Sequence, residues 1–398
     1  MISLFLQSEA NSQTISNKKF TKTNSPIFIA DGFLNFSAAN SNQSTNFNDK
    51  SFIGNDSQLF VKSGVMTKNK SKYGAVTKFE FNANSSGVRE NPNLDQIFLF
   101  SEGSFGKFEF GNTQAANQKM KFGPSEFARG AGGINGKYIE ALQIPSSGSF
   151  ILLPQSPIGH GGYAANANNY SQKNNFRAIK DNSFDGVEDA TKLSYFTPSF
   201  EGLHLGLSYA PNTKNSGITT TKYYHNSTTT IRDVFSAGVN YADDFDNLGV
   251  KISTTAEKGR AQKGYGKDLF AYDASATLTY FGFDLGASFG SWENSLQKTG
   301  TTFSSVSSLR ANYQSLGLGY SFGPVAASIT SLKSQFQKND YQALSLGLDY
   351  KLTRDLMPYF ELTKFSFKPA LNSASSGAET LAKNNQGYVF LTGILISF

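Results

Sequence analysis

The chain has no cysteine, and only three histidines and one tryptophan occur among its 398 residues. The absence of cysteine excludes disulfide scaffolds, thiolate zinc sites, iron–sulfur clusters and cysteine nucleophiles. The histidines (His160, His204 and His225) are widely separated, so we expect no catalytic residue, no enzyme activity and no cofactor. No apolar run approaches about 18 residues, which excludes a bundle of transmembrane helices.

The charge is nearly balanced, with 36 Lys and Arg against 30 Asp and Glu and a formal net charge of +6. The two signs are interspersed, whereas nucleic-acid binding favours a concentrated basic stripe, so we expect no nucleic-acid partner. Aromatic residues make up 14% of the chain, which argues against a disordered protein.

The dominant pattern in the chain is an alternation of apolar and polar residues. It runs from Tyr272 to Tyr280, continues from Phe283 to Gly290, and recurs between Leu344 and Leu352. Strict alternation places the two sets of side chains on opposite faces of a β-strand. The pattern therefore predicts an all-β protein.

About sixteen such segments can be distinguished, many of them long enough to cross a membrane when tilted. Long connections alternate with short turns, which is typical of an antiparallel up-and-down barrel in an outer membrane. A soluble β-sandwich or propeller is the alternative, but it favours shorter strands. The predicted strands are 27–38, 57–67, 72–84, 94–103, 105–113, 190–200, 202–210, 233–243, 246–258, 267–281, 283–293, 306–322, 324–335, 340–351, 355–367 and 386–398.

This reading divides the chain into a polar N-terminal extension, residues 1–26, and a single barrel, residues 27–398. The connection 114–189 is unusually long and is expected to fold into the lumen or over its mouth. In the twelfth strand the apolar parity changes between Tyr313 and Leu316, which predicts a β-bulge near Gln314 or Ser315.

Three segments resemble a known family. The last strand, from Gln386 to Phe398, carries apolar residues on one face and ends on phenylalanine, as in Gram-negative outer-membrane proteins. The segment from Asp185 to Pro211 is similar to the hairpin that follows the constriction loop of general diffusion porins, especially the alphaproteobacterial branch. The segment from Ser104 to Gly111 is similar to the hairpin before that loop.

The resemblance implies a homotrimer of sixteen-stranded barrels in the Gram-negative outer membrane, each with a third long loop that narrows the pore. It also implies that Phe398 belongs to the assembly signal. The function to be expected is passive diffusion of small hydrophilic solutes and ions through a water-filled channel. A porin that prefers anions or sugars, and a structural or adhesive surface barrel, remain alternatives.

Alternation also indicates which charges line the pore, because a lysine facing lipid at the bilayer midplane costs about 2–4 kcal/mol. Lys78, Glu80, Lys107 and Glu109 are therefore expected to face the lumen. In the long loop, basic residues outnumber acidic ones before residue 181, which favours weak anion preference or near neutrality. The loop residues proposed to line the constriction are Lys119, Lys121, Glu126, Arg129, Lys137 and Glu140.

Two sequence motifs are incomplete. The segment from Ala131 to Tyr138 resembles a phosphate-binding loop but lacks its first glycine and its final Ser or Thr. The segment starting at Asp181 resembles a calcium-binding loop but has Lys192 where glutamate is required. We expect no metal site, although a looser Ca²⁺ site stays open on Asp181, Asp185, Glu188 and Asp189.

Overall fold

The computed structural model describes residues 26–44, 51–81, 93–128, 130, 133, 137–142, 149–151, 164–166, 190–213, 231–261, 267–295, 311–336, 339–368 and 384–398. Sixteen of its strands form one closed antiparallel barrel, which confirms the predicted fold class. No helix among the described residues is long and apolar enough to cross a membrane.

The barrel strands are distributed over nearly the whole chain. The strand before the long connection, β5, pairs with the strand after it, β8, because β6 and β7 lie within that connection and outside the barrel. They are β1 Ile27–Gln43, β2 Ser51–Met66, β3 Lys72–Glu80, β4 Asn93–Gly103, β5 Gly106–Asn112, β8 Thr191–Phe196, β9 Leu203–Asn212, β10 Arg232–Phe245, β11 Leu248–Arg260, β12 Leu269–Tyr280, β13 Phe283–Glu293, β14 Ala311–Phe322, β15 Val325–Phe336, β16 Asn339–Tyr350, β17 Leu356–Lys368 and β18 Asn385–Ser397.

The long connection between β5 and β8 contains short elements of its own. Among its described residues these are helix α1 (Ala116–Lys119), a first and a second 3₁₀ helix (Pro124–Glu126 and Lys137–Ala141) and the hairpin of β6 (Ser149–Ile151) and β7 (Ala164–Asn166). We use the name lumen loop for the described residues between 113 and 142.

The barrel closes where the first strand meets the last. Gly32 and Phe398 exchange two backbone hydrogen bonds, each 3.1 Å long. Closure leaves no free strand edge, which is required where lipid cannot hydrogen-bond the backbone. This Gly32–Phe398 contact lies at the short-turn end of the barrel, together with turns such as 281–282 and 323–324.

The outer wall is apolar and the inner wall is mainly polar. Leu316 and Leu318 of β14 are exposed on the outside, whereas Ser315, which precedes Leu316, is buried on the inside. The inward serines pair across strands, as in Ser253–Ser275 at 2.6 Å and Ser288–Ser315 at 2.5 Å. These hydrogen bonds satisfy the hydroxyl groups of the inner wall.

The predicted bulge near Gln314 and Ser315 is wrong. The pairing of β14 with β15 is regular there, and the register shift lies opposite its start, between Ser291 and Glu293 of β13. Ala311 and Tyr313 face inward, in the same parity as Ser315. The apolar residues before the supposed bulge therefore face the lumen and pack on the lumen loop.

Candidate functional site

The lumen loop enters the barrel directly after β5 and lies against the inner wall. The backbone N–H of Ala116 donates to Ser208 Oγ at 2.8 Å, and Asn117 Nδ2 donates to Glu257 Oε2 at 3.1 Å. Asn240 Nδ2 donates to the carbonyl of Met120 at 3.0 Å. These three contacts fix α1 against β9, β10 and β11.

A row of serines receives the next part of the loop. Ser253, Ser275, Ser288 and Ser315 face one another in register across β11 to β14. The backbone of Phe122 uses two of them, because its N–H donates to Ser253 Oγ at 2.9 Å and its carbonyl accepts from Ser275 Oγ at 2.6 Å. The inner wall thus supplies hydrogen bonds to loop backbone that would otherwise lose them on burial.

Pairs of glycines in the wall make room for apolar loop side chains. Gly286 and Gly317 are cross-strand partners, and a Cβ built on Gly317 would lie 2.7 Å from Pro124 Cβ and 2.9 Å from Phe127 Cδ2. A Cβ on Gly238 would lie 2.5 Å from Met120 Cβ. These recesses set how closely the loop approaches the wall, because carbon atoms pack best at about 3.5–4.0 Å.

The far part of the loop reaches the opposite side of the barrel. Gly130 N donates to Asp349 Oδ1 at 3.1 Å and its carbonyl accepts from Asn35 Nδ2 at 3.2 Å. Gln43 Nε2 donates to the carbonyl of Ala141 at 2.7 Å. The described segment therefore runs along the inside of the wall from β8 to β1.

An apolar cluster holds the second 3₁₀ helix in the lumen. Tyr138 and Leu142 are buried among inward residues that include Tyr341, Phe365 and Phe367. The hydroxyls of Tyr138 and Tyr341 are hydrogen-bonded at 2.8 Å. Burial raises the pKa of Tyr138 well above its ordinary value, so this phenol stays neutral.

Lys119 at the end of α1 is buried in a cluster of charges. Its ammonium group pairs with Glu109 and donates to Thr113 Oγ1 at 2.8 Å, while Lys107 contacts the same carboxylate at 2.7 Å. Burial lowers the pKa of Lys119 to about 8, and attraction to Glu109 offsets only part of this effect. The ion pair between Lys119 and Glu109 attaches the loop to β5.

Lys121 attaches the loop to the wall at a second place, on strands β12 and β14. Its Nζ lies 2.9 Å from Asp273 Oδ2 of β12 and donates to Tyr313 OH of β14 at 2.6 Å. Burial lowers the pKa of Lys121, and Asp273 opposes this shift. Lys119 and Lys121 are thus each matched by a carboxylate of the wall.

The inner wall of β2 to β5 carries its own ion pairs. Lys78 lies 2.8 Å from Asp95 and 3.4 Å from Glu80, and these groups are largely buried. Nearer the short turns, Lys72 and Glu102 pair at 2.7 Å and their side chains remain 34% and 36% exposed. This pair is more accessible to solvent in the lumen than Lys119 and Lys121.

The residues proposed from sequence thus occupy different environments. Lys78, Glu80, Lys107 and Glu109 lie on the inner wall, whereas Lys119 and Lys121 lie between the loop and that wall. Several candidates lie outside the described residues or have no described side chain: Glu126, Arg129, Lys137, Glu140, Asp181, Asp185, Glu188 and Asp189. Within the ranges that are described, no group of three or more His, Asp or Glu is arranged to hold a metal ion.

Sequence reasoning missed the residues that hold the loop. The alternation did not reveal that Asp273 pairs with Lys121, and the bulge expected after Tyr313 hid the fact that Tyr313 faces inward. The inner-wall surface that holds the loop could have been recognised from small residues that lie opposite each other on neighbouring strands. Gly286 faces Gly317, and Ser288 faces Ser315, two residues farther along the same strands.

The family model for Gram-negative porins matches residues 29–370. The chain belongs to the Gram-negative porin family. It is therefore an outer-membrane protein whose barrel forms a diffusion channel.

Relatives of this porin occur in Rickettsia. An uncharacterized protein of Rickettsia conorii is 28% identical over 366 residues, and one of Rickettsia felis is 27% identical over 369 residues. Each alignment covers 78% of this chain and 78% of the relative.

Solved porin structures share the fold at low sequence identity. An anion-selective porin from Comamonas acidovorans has a TM-score of 0.60 at 15% identity, and a triple mutant of the Rhodopseudomonas blastica porin has 0.56 at 13%. Each comparison covers 94% of this chain and all of the other.

Proposed function

We propose that this porin conducts small hydrophilic solutes and ions with little charge preference, and that it carries out no chemical step. The observation that carries the proposal is the pairing of Lys119 and Lys121 with Glu109 and Asp273. An ion pair has almost no net field at distances beyond its own size, and salt screens the remainder over about 8 Å. The basic start of the lumen loop therefore supplies little attraction for anions.

The proposed aqueous path runs along the inner wall of β2 to β5. Apart from the contact of Lys119 with β5, described parts of the long connection pack on the other strands: α1 on β8 to β11, the first 3₁₀ helix on β13 and β14, β6 on β14 to β16, and the second 3₁₀ helix on β18 and β1. Lys72, Glu102 and Lys107 keep about a third of their side chains exposed on the remaining wall. We propose that these three residues, rather than the loop lysines, meet passing ions.

The similarity to an anion-selective Comamonas porin supports the channel fold and gives no reason to expect the same selectivity here. Selectivity depends on individual side chains, which diverge at 15% identity. In this chain Lys72 pairs with the carboxylate of Glu102, whereas Lys107 and Lys119 share the carboxylate of Glu109, so these five groups carry one excess positive charge. Mixed charges of this kind favour a nearly neutral channel.

We also propose that three barrels associate as a homotrimer. Closed cyclic symmetry is common among homo-oligomers, and the porin resemblance favours three copies. A mass measurement on the detergent-solubilised protein tests this. A particle that contains one barrel would contradict it.

The conduction proposal is tested by recording single channels in planar bilayers and measuring reversal potentials in a KCl gradient. Stable conductance steps with a reversal potential near zero are expected. K72Q should shift the reversal potential toward cation preference and E102Q toward anion preference, by similar amounts, because each removes one exposed lumen charge. The control K333Q removes a charge from the outer wall and should cause no shift. If K72Q and E102Q leave the potential unchanged, the ions take another path.

A further inference from the structure

One row of the inner wall carries charges of alternating sign between two apolar residues. Its members are direct cross-strand partners on β2, β3, β4, β5 and β8, in the order Met66, Lys72, Glu102, Lys107 and Phe196. Directly opposed residues of antiparallel strands lie on the same face of the sheet, with their Cβ atoms about 5 Å apart. We call these five residues the mouth row.

The mouth row lies on the lumen side of the wall, at the short-turn end of the barrel. Met66 packs against a buried inner-wall cluster, and the Nζ atom of Lys119 in the lumen loop lies 5.7 Å from the centre of the Phe196 ring. The tight turn 104–105 joins β4 to β5 directly below the row. The proposed aqueous path along β2 to β5 therefore ends at the mouth row.

The three charged groups of the row keep hydrogen-bonding capacity for a solute. Lys72 pairs with Glu102 at 2.7 Å, Lys107 pairs with Glu109 at 2.7 Å, and the three row side chains are each about one third exposed. An ammonium group has three N–H donors, and a carboxylate has about four acceptor positions. A solute can therefore bind these groups while their own ion pairs persist.

Alternating signs favour a solute that carries both charges. An anion is attracted by Lys107 but repelled by the neighbouring Glu102, and a cation meets the reverse. A solute with an ammonium and a carboxylate group finds a partner for each at adjacent positions of the row. An α-amino acid holds these two groups on one carbon atom, which suits neighbouring positions.

An aromatic ring lies next to the charged part of the row. Phe196 is half-buried, and a Cβ built on Gly206 would lie 2.9 Å from its Cδ1 atom, so the ring fills the recess at that glycine. The part of the ring that remains accessible offers apolar surface beside Lys107. Apolar groups of a solute gain free energy by covering such surface.

We propose that the mouth row binds small zwitterionic solutes during their passage, in particular α-amino acids with an apolar or aromatic side chain. Glu102 binds the ammonium group, Lys107 binds the carboxylate, and Phe196 contacts the side chain. This inference rests on the proposed conduction of small solutes with little charge preference, and it adds the class of solute that the channel retains. Contacts of partly exposed charges are weak, so the solute also leaves readily, as conduction requires.

The test records single channels of the full-length protein in planar bilayers at neutral pH, with L-phenylalanine as the probe. Two related compounds keep the ring and lack one charge: N-acetyl-L-phenylalanine is an anion, and 2-phenylethylamine is a cation. L-Phenylalanine should block half of the ion current at a concentration about threefold lower than either compound, because it makes one additional exposed ion pair. Equal potency of the three compounds would overturn the proposal. A protein without conductance steps would instead contradict the proposed function.

Variants locate the site. E102Q should raise the half-blocking concentration of L-phenylalanine about threefold but not that of N-acetyl-L-phenylalanine, and K107Q should raise both but not that of 2-phenylethylamine. The matched control D284N removes another inner-wall carboxylate near the same end, one that accepts from Thr279 Oγ1 at 2.6 Å, and should behave like wild type. Equal losses in E102Q and D284N would refute a site at the mouth row. Assembly is checked by heat-modifiable electrophoretic mobility, and the three compounds on the wild type decide the proposal where a variant does not assemble.

Discussion

The glycine recess beneath Phe127 sets how far the lumen loop projects into the pore. In G317A the new methyl group would lie 2.7 Å from Pro124 Cβ and 2.9 Å from Phe127 Cδ2. Restoring a normal carbon–carbon separation of about 3.5–4.0 Å requires the loop to withdraw by about 1 Å. The wall is a continuous sheet, so the loop must move toward the lumen.

We therefore expect G317A to lower single-channel conductance and, through overpacking, to lower stability by about 1–3 kcal/mol. Conductance is measured in planar bilayers and stability by thermal unfolding in detergent. The matched control is G319A on the same face of β14, where the new methyl group would lie 3.4 Å from Asp284 Cβ, 3.5 Å from Asp284 Oδ2 and 3.6 Å from Phe127 Cγ. These are ordinary contacts, so G319A should conduct like wild type. Equal conductance in the two variants would refute the idea that the recess positions the loop.

Three further predictions follow from the ends of the loop and of the chain. Raising the pH through about 8 removes the proton from Lys119, because burial lowers its pKa to that value. The positive charge next to Glu109 is then lost. The K⁺/Cl⁻ permeability ratio should therefore rise between pH 7 and 9 in wild type but not in K119Q; an equal rise in both would exclude Lys119. D273N breaks a mostly buried ion pair, a change that costs about 3–5 kcal/mol, so its currents should become noisier and its melting temperature should fall. D284N, whose carboxylate accepts from a wall threonine, is the control, and similar noise in both would contradict the anchoring role. Deleting Phe398 should impair assembly because its backbone closes the barrel against Gly32, whereas F398Y should assemble; normal insertion of the truncated chain, measured by heat-modifiable mobility of outer-membrane fractions, would count against this.

The barrel could be predicted from sequence because its outer face meets lipid at every strand. Each strand must place apolar residues outward, so the alternation around Leu316 and Leu318 persists along the chain. Strand ends were less predictable, because two strands extend beyond the alternating pattern. β1 continues to Gln43, and β2 begins at Ser51. Most residues there are polar on both faces, apart from the neighbours Phe52 and Ile53, so no alternation is sustained.

The inner surface was less predictable because the loop changes what an inward position requires. An inward residue is expected to be polar, yet Phe365 and Phe367 face inward and pack in the cluster around Tyr138. The same effect misled the reading of Tyr313, which meets Lys121 inside the barrel. Sequence alternation reports only whether a face is apolar, whereas the partner of that face depends on where a distant loop folds.

Net charge was an equally indirect guide to the pore. The excess of +6 suggests anion preference only if the cations line the lumen. Lys119 and Lys121 are matched there by wall carboxylates, while Arg232, Lys258 and Arg260 are on the outer face of the barrel. Charges on that face lie beyond the wall from the conducting water and act on the membrane surface instead. The ion preference of the channel must therefore come from the few partly exposed lumen charges, Lys72 and Glu102 among them, whose opposite signs nearly cancel.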